Sequence, residues 1–285
     1  MKKFNAAVIF ATVALIFGAA SIATMEAYGQ ETVVDKINVP LSDPSRPVKL
    51  ECGILNGSIT VKGVSGIKEV VVEASIRYQE YKRERKSDQT GGLRRIQNTS
   101  SGLSVEEEDN NVDVSTGMAG HSRTIDLKIQ VPTNTSMELS TTNDGDILVE
   151  NVVGDLEINN TNGKITLVNI SGSAVAHALN ENIVATFTKV NAQKSMSFSS
   201  LNGKIDVTFP SDIKATVFMK SDQGEIYTDF DMPVEQSALK AEEEKGSRGK
   251  YRVSFERGMK GTINGGGMEM QFSNFNGDIY IRKGK

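Results

Sequence analysis

The chain has 285 residues, of which 38% are hydrophobic and 6% aromatic, with no tryptophan. It is long enough to bury a substantial core in one or two domains. Its 26 glycines and 6 prolines indicate many tight turns and exclude a collagen-like or low-complexity chain. The formal charge of −4 argues against a nucleic-acid-binding protein, which would carry a concentrated basic face.

The N-terminal segment has the pattern of a secretory signal peptide. Lys2 and Lys3 precede an apolar stretch over residues 6–17. Small residues that follow suit cleavage after Ala23, with cleavage after Ala20 as an alternative. The alternative is an uncleaved anchor, because the stretch from residue 6 to the cleavage position carries no charge, although it is short for a membrane span. We expect an exported chain with a signal peptide at 1–23 and a mature part that does not span a membrane.

Cys52 is the one cysteine of the chain. No internal disulfide is therefore possible, and the fold depends on its apolar core. Cys52 is in phase with Val48 and Leu50, so a small buried side chain on a strand is favoured over a reactive thiol.

Pairs of apolar residues separated by one position recur at a constant interval of nine residues. The pairs in this unbroken phase are Ile147/Val149, Leu156/Ile158, Ile165/Leu167, Ala174/Ala176 and Ile183/Ala185. Four further pairs follow at intervals of nine to thirteen: Met196/Phe198, Ile205/Val207, Val217/Met219 and Ile226/Thr228. Such alternation places every second side chain on one face and is typical of half-buried strands.

Glycine and asparagine punctuate these strands. The stretch TNGKITLVN at 161–169 is echoed by LNGKIDVTF at 201–209, and Asn56-Gly57 and Asn276-Gly277 repeat the motif. Both residue types tolerate positive φ, so we expect them at corners. The pattern predicts an all-β fold: a β-solenoid, or single-stranded β-helix-like stack, with about 18–22 residues per coil and about seven coils between 137 and 283. The alternative is an antiparallel sandwich with Asn-Gly hairpins, which would not need a constant interval.

Two charged segments interrupt the repeat. The first, at about 77–124, has a basic half and an acidic half, and a hairpin around Ser100 would place Arg95 opposite Glu106 and Arg94 opposite Glu107. The alternative is a basic patch for a phosphate-rich or acidic partner. The second segment, within 235–255, is predicted as an exposed loop or short helix that leads into a strand at 251–255. The domain is expected to cover 24–285, with a capping C-terminal segment at about 235–285.

Nothing in the sequence identifies a reaction. The two histidines, His121 and His177, have no partners at metal-ligand spacing or in a nucleophile-elbow context, and both are expected to be solvated. Acidic residues beside the corners raise the possibility of calcium, but Lys164 and Lys204 occupy equivalent corners, which favours solvated turn residues. These acidic residues are Asp144, Asp146, Asp155, Asp222 and Asp278. We therefore predict no catalytic, cofactor-binding or metal-binding residue and no cofactor.

The phenylalanines are spaced like the repeat. Phe187, Phe198, Phe209, Phe218 and Phe230 are predicted to form a core stack, and the alternative is an exposed aromatic stripe for sugars. A polysaccharide-acting enzyme would need a cluster of carboxylates or basic groups in a groove, and the sequence shows no such cluster.

The stretch VPTNTSMELSTTNDGDILVENVVGDLEINNTNGKITLVNISG at 131–172 resembles the bacterial putative-adhesin family, a domain of unknown function in exported proteins. The likeness extends from about residue 30 to 283. The resemblance implies a β-solenoid-like fold and an envelope location, in the periplasm, at the outer membrane or on the cell surface, and it supplies no catalytic residue. We expect a non-enzymatic envelope protein for adhesion or scaffolding, with an envelope protein or surface glycan as partner. The alternatives are a periplasmic partner in envelope-stress regulation that acts through the 77–124 segment, and a polysaccharide-acting enzyme.

Overall fold

The computed structural model describes residues 32–77, 100–117, 121, 123–246 and 250–285, without the side chains of 32–34 and 237–257. The predicted signal peptide at 1–23 lies outside this range. In the described residues, no helix has the length and apolar character needed to cross a membrane.

Twenty strands account for most of the described chain and form one mixed sheet. The first ten are β1 Thr32–Pro40, β2 Val48–Asn56, β3 Ile59–Val64, β4 Glu69–Arg77, β5 Ser104–Glu108, β6 Asn111–Ser115, β7 Thr124–Pro132, β8 Thr135–Asn143, β9 Ile147–Glu150 and β10 Val153–Asn160. The other ten are β11 Ile165–Ala178, β12 Ile183–Val190, β13 Met196–Ser200, β14 Ile205–Phe209, β15 Ala215–Ser221, β16 Ile226–Thr228, β17 Val234–Gly246, β18 Lys250–Ile263, β19 Met268–Asn274 and β20 Ile279–Lys283.

Two parallel ladders of strands run the length of the molecule. Ladder A contains, in spatial order, β6, β2, β8, β10, the second half of β11, β13, β19 and β15. Ladder B contains β7, β3, β9, the first half of β11, β12, β14, β20 and β16. One strand from each ladder makes a coil, so the described chain forms eight coils. The predicted all-β solenoid is confirmed.

The length of a coil also agrees with the sequence. Ile147, Ile165 and Ile183 are register partners in ladder B, at intervals of 18 residues, and Ile183 pairs with Ile205, 22 residues further on. The predicted 18–22 residues per coil is therefore correct. The predicted count of seven coils after residue 137 is one too high, because residues 234–263 form a hairpin instead of a coil.

The inward side chains of the two ladders meet in one continuous apolar core. Phe187 stacks on Phe209 in ladder B, with ring centroids 5.3 Å apart, and Phe198 stacks on Phe272 in ladder A at 5.2 Å. The two pairs contact each other edge to face at 6.2–6.4 Å, a favourable geometry for aromatic rings. Phe198 is also the register partner of Ala176, so a large ring lies beside a coil whose inward pair, Ala174 and Ala176, is small.

The predicted core stack is correct for Phe187, Phe198 and Phe209, which are buried, and Phe272 completes it. Phe230 is buried at the end of the core and takes no part in these ring contacts. Phe218 points outward from β15 and lies 5.8 Å from Lys260 Nζ, because its neighbours Val217 and Met219 take the inward phase of that strand. The pair Ile226/Thr228 is likewise not a core pair, since β16 belongs to the terminal coil, where Ile226 is half-buried and Thr228 exposed.

The spatial order of the coils differs from their order in the chain at both ends. The β2/β3 coil lies between the β6/β7 and β8/β9 coils. At the other end, the β19/β20 coil lies between β13/β14 and β15/β16. The capping segment predicted at about 235–285 is therefore divided. The β17–β18 hairpin lies at the end of ladder A, whereas β19 and β20 do not cap the stack. They form an interior coil, because their Ile279 and Ile281 fit the inward column of ladder B like any other pair.

Antiparallel strands close three of the four ladder ends. At the start of ladder B, β4 pairs with β7 and β1 pairs with β4. At the start of ladder A, β5 pairs with β6. Ladder A ends with the β17–β18 hairpin against β15. The prediction of a loop or short helix within 235–255 is therefore wrong, because the described residues of this segment belong to the strands β17 and β18. The edge of β15 pairs with β18 from Ile263 to Met259. The rest of the hairpin does not pair with β15, so it needs no alternation of apolar residues.

The predicted 77–124 insertion is also part of the stack in its second half, because β6 pairs with β2. Arg94 and Arg95 lie outside the described residues. Glu106 faces Asp113 across the β5–β6 hairpin, and Glu107 accepts hydrogen bonds from the Ser42 and Asn110 backbone amides. These bonds hold the pKa of Glu107 below its usual value. The acidic half of the segment therefore belongs to the β5–β6 hairpin, and Glu107 bonds to its turn at Asn110.

The corner glycines serve a different physical purpose from the predicted one. A Cβ on Gly163 would lie 1.9 Å from the Gly145 carbonyl oxygen, and one on Gly277 would lie 2.6 Å from that of Gly203. None of these four glycines has positive φ. They are required because neighbouring coils approach closely at this corner. The predicted positive φ does occur at Gly57 and at Asp144 on this corner, and it also occurs at Asn151 and Asn169 on the opposite corner.

Candidate functional site

The polar residues that the sequence singled out do not converge on one centre. His121 and His177 are exposed, as expected. Cys52 is buried on β2, and burial raises the pKa of its thiol to about 12. Cys52 is therefore a core side chain, as predicted.

The acidic corner residues bond mainly to neighbouring coils. Asp146 accepts a hydrogen bond from the Lys164 amide, and Asp278 accepts one from the Glu225 amide. Asp155 accepts bonds from Ser173 Oγ and Lys194 Nζ. Asp222 forms an ion pair with Lys220, with 3.5 Å between its Oδ2 and Lys220 Nζ. In the part of the chain that the structure describes, no three His, Cys, Asp or Glu residues are grouped to hold a metal ion.

The corner between ladder A and ladder B carries a row of asparagine side chains, one per coil. Each donates its amide N–H to the side-chain oxygen of the preceding member, at 2.7–3.2 Å. In spatial order the row is Asn56, Asn143, Asn162, Asn180 and Asn202. The amide ladder therefore includes the asparagines of three Asn-Gly motifs, Asn56, Asn162 and Asn202, together with Asn143 and Asn180, which glycine does not follow.

A second row of polar side chains is turned inward at the same corner. Asn160 donates to the Gly145 carbonyl and accepts from the Gly163 amide, and Ser200 bonds in the same way to Glu181 and Gly203. These buried groups satisfy turn atoms that would otherwise be desolvated without partners. Asn274 donates to Gly203, but its Oδ1 has no hydrogen-bond partner among the described residues.

Between these two rows lies a row that is apolar on three successive coils. Leu179, Leu201 and Phe275 are each next to a corner asparagine and are 43%, 41% and 47% exposed. The backbone amides of Asn202 and Asn276 bond to the Leu179 and Leu201 carbonyls, which fixes the order of the row. Thr161 precedes it and Asp222 follows it on the adjoining coils. We call Leu179, Leu201 and Phe275 the apolar row.

The apolar row forms one wall of an open groove of about 480 Å³. The outward side chains of ladder A form its floor, including His177, Ser199 and Ser273, which are register partners on neighbouring strands. His177 Nδ1 is hydrogen-bonded to Ser199 Oγ. The groove thus combines an apolar wall with a floor of short hydroxyl and imidazole groups.

The described part of the groove holds a His–Ser pair but no third group of a catalytic triad. A serine nucleophile needs a histidine base that a carboxylate orients in turn. Within the described chain, no carboxylate bonds to the His177 ring, and both His177 and Ser199 remain accessible to solvent. An extended ligand that lies along the stack could contact an apolar side chain and either a hydroxyl or the His177 imidazole on each coil.

The sequence contained part of this site. An apolar residue stands directly before the corner asparagine at Leu179, Leu201 and Phe275, a position that faces solvent. The order of the coils was the missing information, because Leu201 and Phe275 lie far apart in the chain and become neighbours only through the displaced β19/β20 coil.

Comparison with known proteins finds two distantly similar solved structures and one family model. A putative cell adhesion protein from Clostridium sporogenes has 10% sequence identity and a TM-score of 0.41, with 88% of this chain and 99% of that chain covered. A putative adhesin from Bacteroides fragilis has 9% identity and a TM-score of 0.32, with 87% and 96% covered. A comparison with curated proteins finds no match. A family model matches residues 57–264, well over half of the chain, and confirms the resemblance drawn from residues 131–172. The chain belongs to the Toastrack DUF4097 family, a domain of unknown function.

Proposed function

We propose that the protein is a non-enzymatic, exported component of the bacterial cell envelope that binds an extended ligand in its corner groove, for adhesion or scaffolding. The apolar row carries this proposal. Three large apolar side chains aligned on successive coils and left more than 40% exposed are costly to hydrate, and contiguous patches of this kind mark interaction sites.

Two further features support the proposal. The N-terminal segment has the composition of a secretory signal peptide. The groove repeats similar contacts from coil to coil at the strand spacing of about 4.8 Å, which suits a ligand that is itself extended and repetitive, such as a surface glycan or an envelope protein segment.

A groove variant tests the binding role. The triple substitution Leu179→Ser, Leu201→Ser and Phe275→Ser removes the apolar wall without a change in the core. The matched control is Leu55→Ser with Val153→Ser, which removes two exposed apolar side chains outside the groove. We expect beads coated with the groove variant to bind purified cell envelopes and glycan arrays at least tenfold less than beads with the control. Equal binding would contradict the proposal.

Localisation is tested separately by protease treatment of intact cells, with N-terminal sequencing of the mature chain. Digestion from outside is the result expected for an adhesin. Protection until the outer layer is breached would exclude surface adhesion and leave periplasmic scaffolding or regulation. A product assay on the same glycans completes the test, because turnover would show that the protein is an enzyme.

A further inference from the structure

The C-terminal end of ladder B is the one ladder end that no antiparallel strand closes in the described chain. β16 is three residues long and pairs with β20 on one side. Phe230 and Met232, which follow it, pack against the end of the core. The core is therefore plugged, while the outer edge of β16 has no strand beside it. An edge of this kind offers backbone groups to an added strand.

An aromatic column leads to this edge. Tyr280 stacks on Tyr227 with ring centroids 5.0 Å apart and an interplanar angle of 9°. The Arg282 guanidinium lies 4.9 Å from the Tyr280 centroid. Tyr227 is 44% exposed, and its ring face away from Tyr280 carries no ring or cation from the described residues. The column therefore consists of the Arg282 guanidinium, the Tyr280 ring and the Tyr227 ring, and the outer face of Tyr227 is open to solvent.

The chain segment that contains β16 carries negative charge. The cations near it include Arg282 and Lys283 of the neighbouring strand β20 and Lys220, which pairs with Asp222. Between Lys220 and Lys240 the sequence has five carboxylates and no Lys or Arg. All five are exposed: Asp222, Glu225, Asp229, Asp231 and Glu235. Glu225 accepts the Tyr227 hydroxyl, which holds the exposed ring in place. A second copy of the chain would bring the same negative rim against this one, so self-pairing at β16 is disfavoured.

We propose that the β16 edge binds an extended, cationic segment of a partner protein. The segment adds to β16 as a further strand of ladder B and places a Lys or Arg side chain on the open face of Tyr227. This contact would continue the cation–π stacking already present at Tyr280. The carboxylate rim attracts such a segment and raises its association rate, so binding should weaken steeply with salt.

The test uses the purified full-length mature protein and a fluorescein-labelled peptide with alternating Lys and Val. Anisotropy titrations at low salt should show saturable binding, and the same peptide with Glu in place of Lys should not bind. Asp229→Asn with Asp231→Asn should weaken binding at least tenfold. An asparagine at 229 keeps an oxygen that can accept the Lys283 amide, as Asp229 does. Tyr227→Leu should weaken binding about fivefold, because cation–π contacts contribute about 1 kcal/mol.

The matched control is Glu138→Gln with Glu157→Gln, which makes the same charge change on exposed positions of ladder A. Equal loss of binding in this control would show a general charge effect and overturn the proposal. A lysine peptide with proline at alternate positions keeps its charge but cannot pair as a strand, so equal binding of that peptide would exclude strand addition. Absence of binding at low salt, or self-association through β16 in sedimentation, would exclude the proposed occupant. The groove variant should bind the lysine peptide normally, so a failure here is distinct from a failure of the groove.

Discussion

Ile205 of β14 is the register partner of Ile279 of β20, and Ile279 pairs in turn with Ile226 of β16. The strand that follows β14 in ladder B along the chain is thus not its neighbour in space. The same exchange occurs at the other end, where Ile59 of β3 lies between Leu127 of β7 and Ile147 of β9. The β2/β3 coil and the β19/β20 coil, near the two ends of the described chain, are therefore each held between two other coils.

The exchange makes the last twenty-one residues essential to the fold. Truncation after Asn264 removes β19 and β20 and with them buried side chains that include Met270, Phe272 and Ile279. Each such core loss costs about 2–5 kcal/mol, against a total stability of about 5–15 kcal/mol. We expect the truncated chain to lose cooperative thermal unfolding in circular dichroism.

The control for the truncation is an internal deletion of 240–255, which removes a comparable length from the hairpin beyond its contact with β15. We expect this variant to keep a cooperative transition within a few degrees of the parent. If the truncation after Asn264 were equally harmless, the interior position of β19 and β20 would be wrong.

The strands and the coil length were predictable because they follow from local patterning. Alternation of apolar residues around each Ile-x-Val or Ile-x-Ile pair decides which side chains face inward. The order of the coils in space was not predictable, because the local pattern is nearly the same in every coil. Ile59, Ile147, Ile183, Ile205 and Ile279 occupy equivalent inward positions in ladder B, so local pattern gives no preference between one neighbour and another.

The candidate groove was also predictable only in part. Its exposed leucines stand at a recognisable position before the corner asparagines, but Phe275 joins them only because the β19/β20 coil is displaced. Phe218 shows the opposite case, because its spacing matched the other phenylalanines while its phase within β15 was outward. Spacing between strands is therefore a weaker guide to burial than the phase within a strand.

The corner glycines can be tested at Gly163. Gly163→Ala places a methyl group against the Gly145 carbonyl, and the two coils must separate to accept it. We expect a loss of about 3 kcal/mol or more in urea denaturation, at the upper end of single-substitution effects. Gly66→Ala is the control. Gly66 has positive φ but open space around it, so it should lose only about 1 kcal/mol. A loss at Gly163 no larger than the loss at Gly66 would contradict the assignment of the corner glycines to close contact between coils.

The two asparagine rows should differ in their contribution to stability. Asn160→Ala removes a buried amide and leaves the Gly145 carbonyl and Gly163 amide without partners, which costs about 1–3 kcal/mol for each unsatisfied group. Asn162→Ala removes exposed bonds to Asn143 and Asn180 that water can replace. We therefore expect at least a twofold greater loss of unfolding free energy for Asn160→Ala. Equal losses would mean that the exposed amide ladder is as important as the buried one.

The ion pair across β14 and β20 gives a pH dependence. Burial alone would raise the pKa of Asp206, but hydrogen bonds and charge from Arg282, and then from Lys204, lower it below its ordinary value of 3.8. A depressed carboxylate pKa stabilises the folded state above the unfolded pKa of about 3.9, and this contribution is lost as pH falls through the folded pKa. The stability difference between the parent and Asp206→Asn should therefore shrink when urea midpoints are compared at pH 7 and pH 3. Asp212→Asn, on an exposed turn, is the control, and an equal pH trend there would contradict the assignment.

Cys52 offers a direct probe of global unfolding. Burial, with a smaller contribution from the charge of Asp113, raises the pKa of its thiol to about 12, so both access and thiolate formation require that β2 leaves the core. The folded protein should not react with a thiol reagent at pH 8 on the timescale of minutes, and its labelling rate in urea should follow the unfolding transition. Ser195→Cys supplies the positive control, because Ser195 is exposed between β12 and β13 and a thiol there should react at once. Rapid labelling of Cys52 in the native protein would show that the β2/β3 coil opens at a free energy well below that of global unfolding. That result would contradict its position between two other coils.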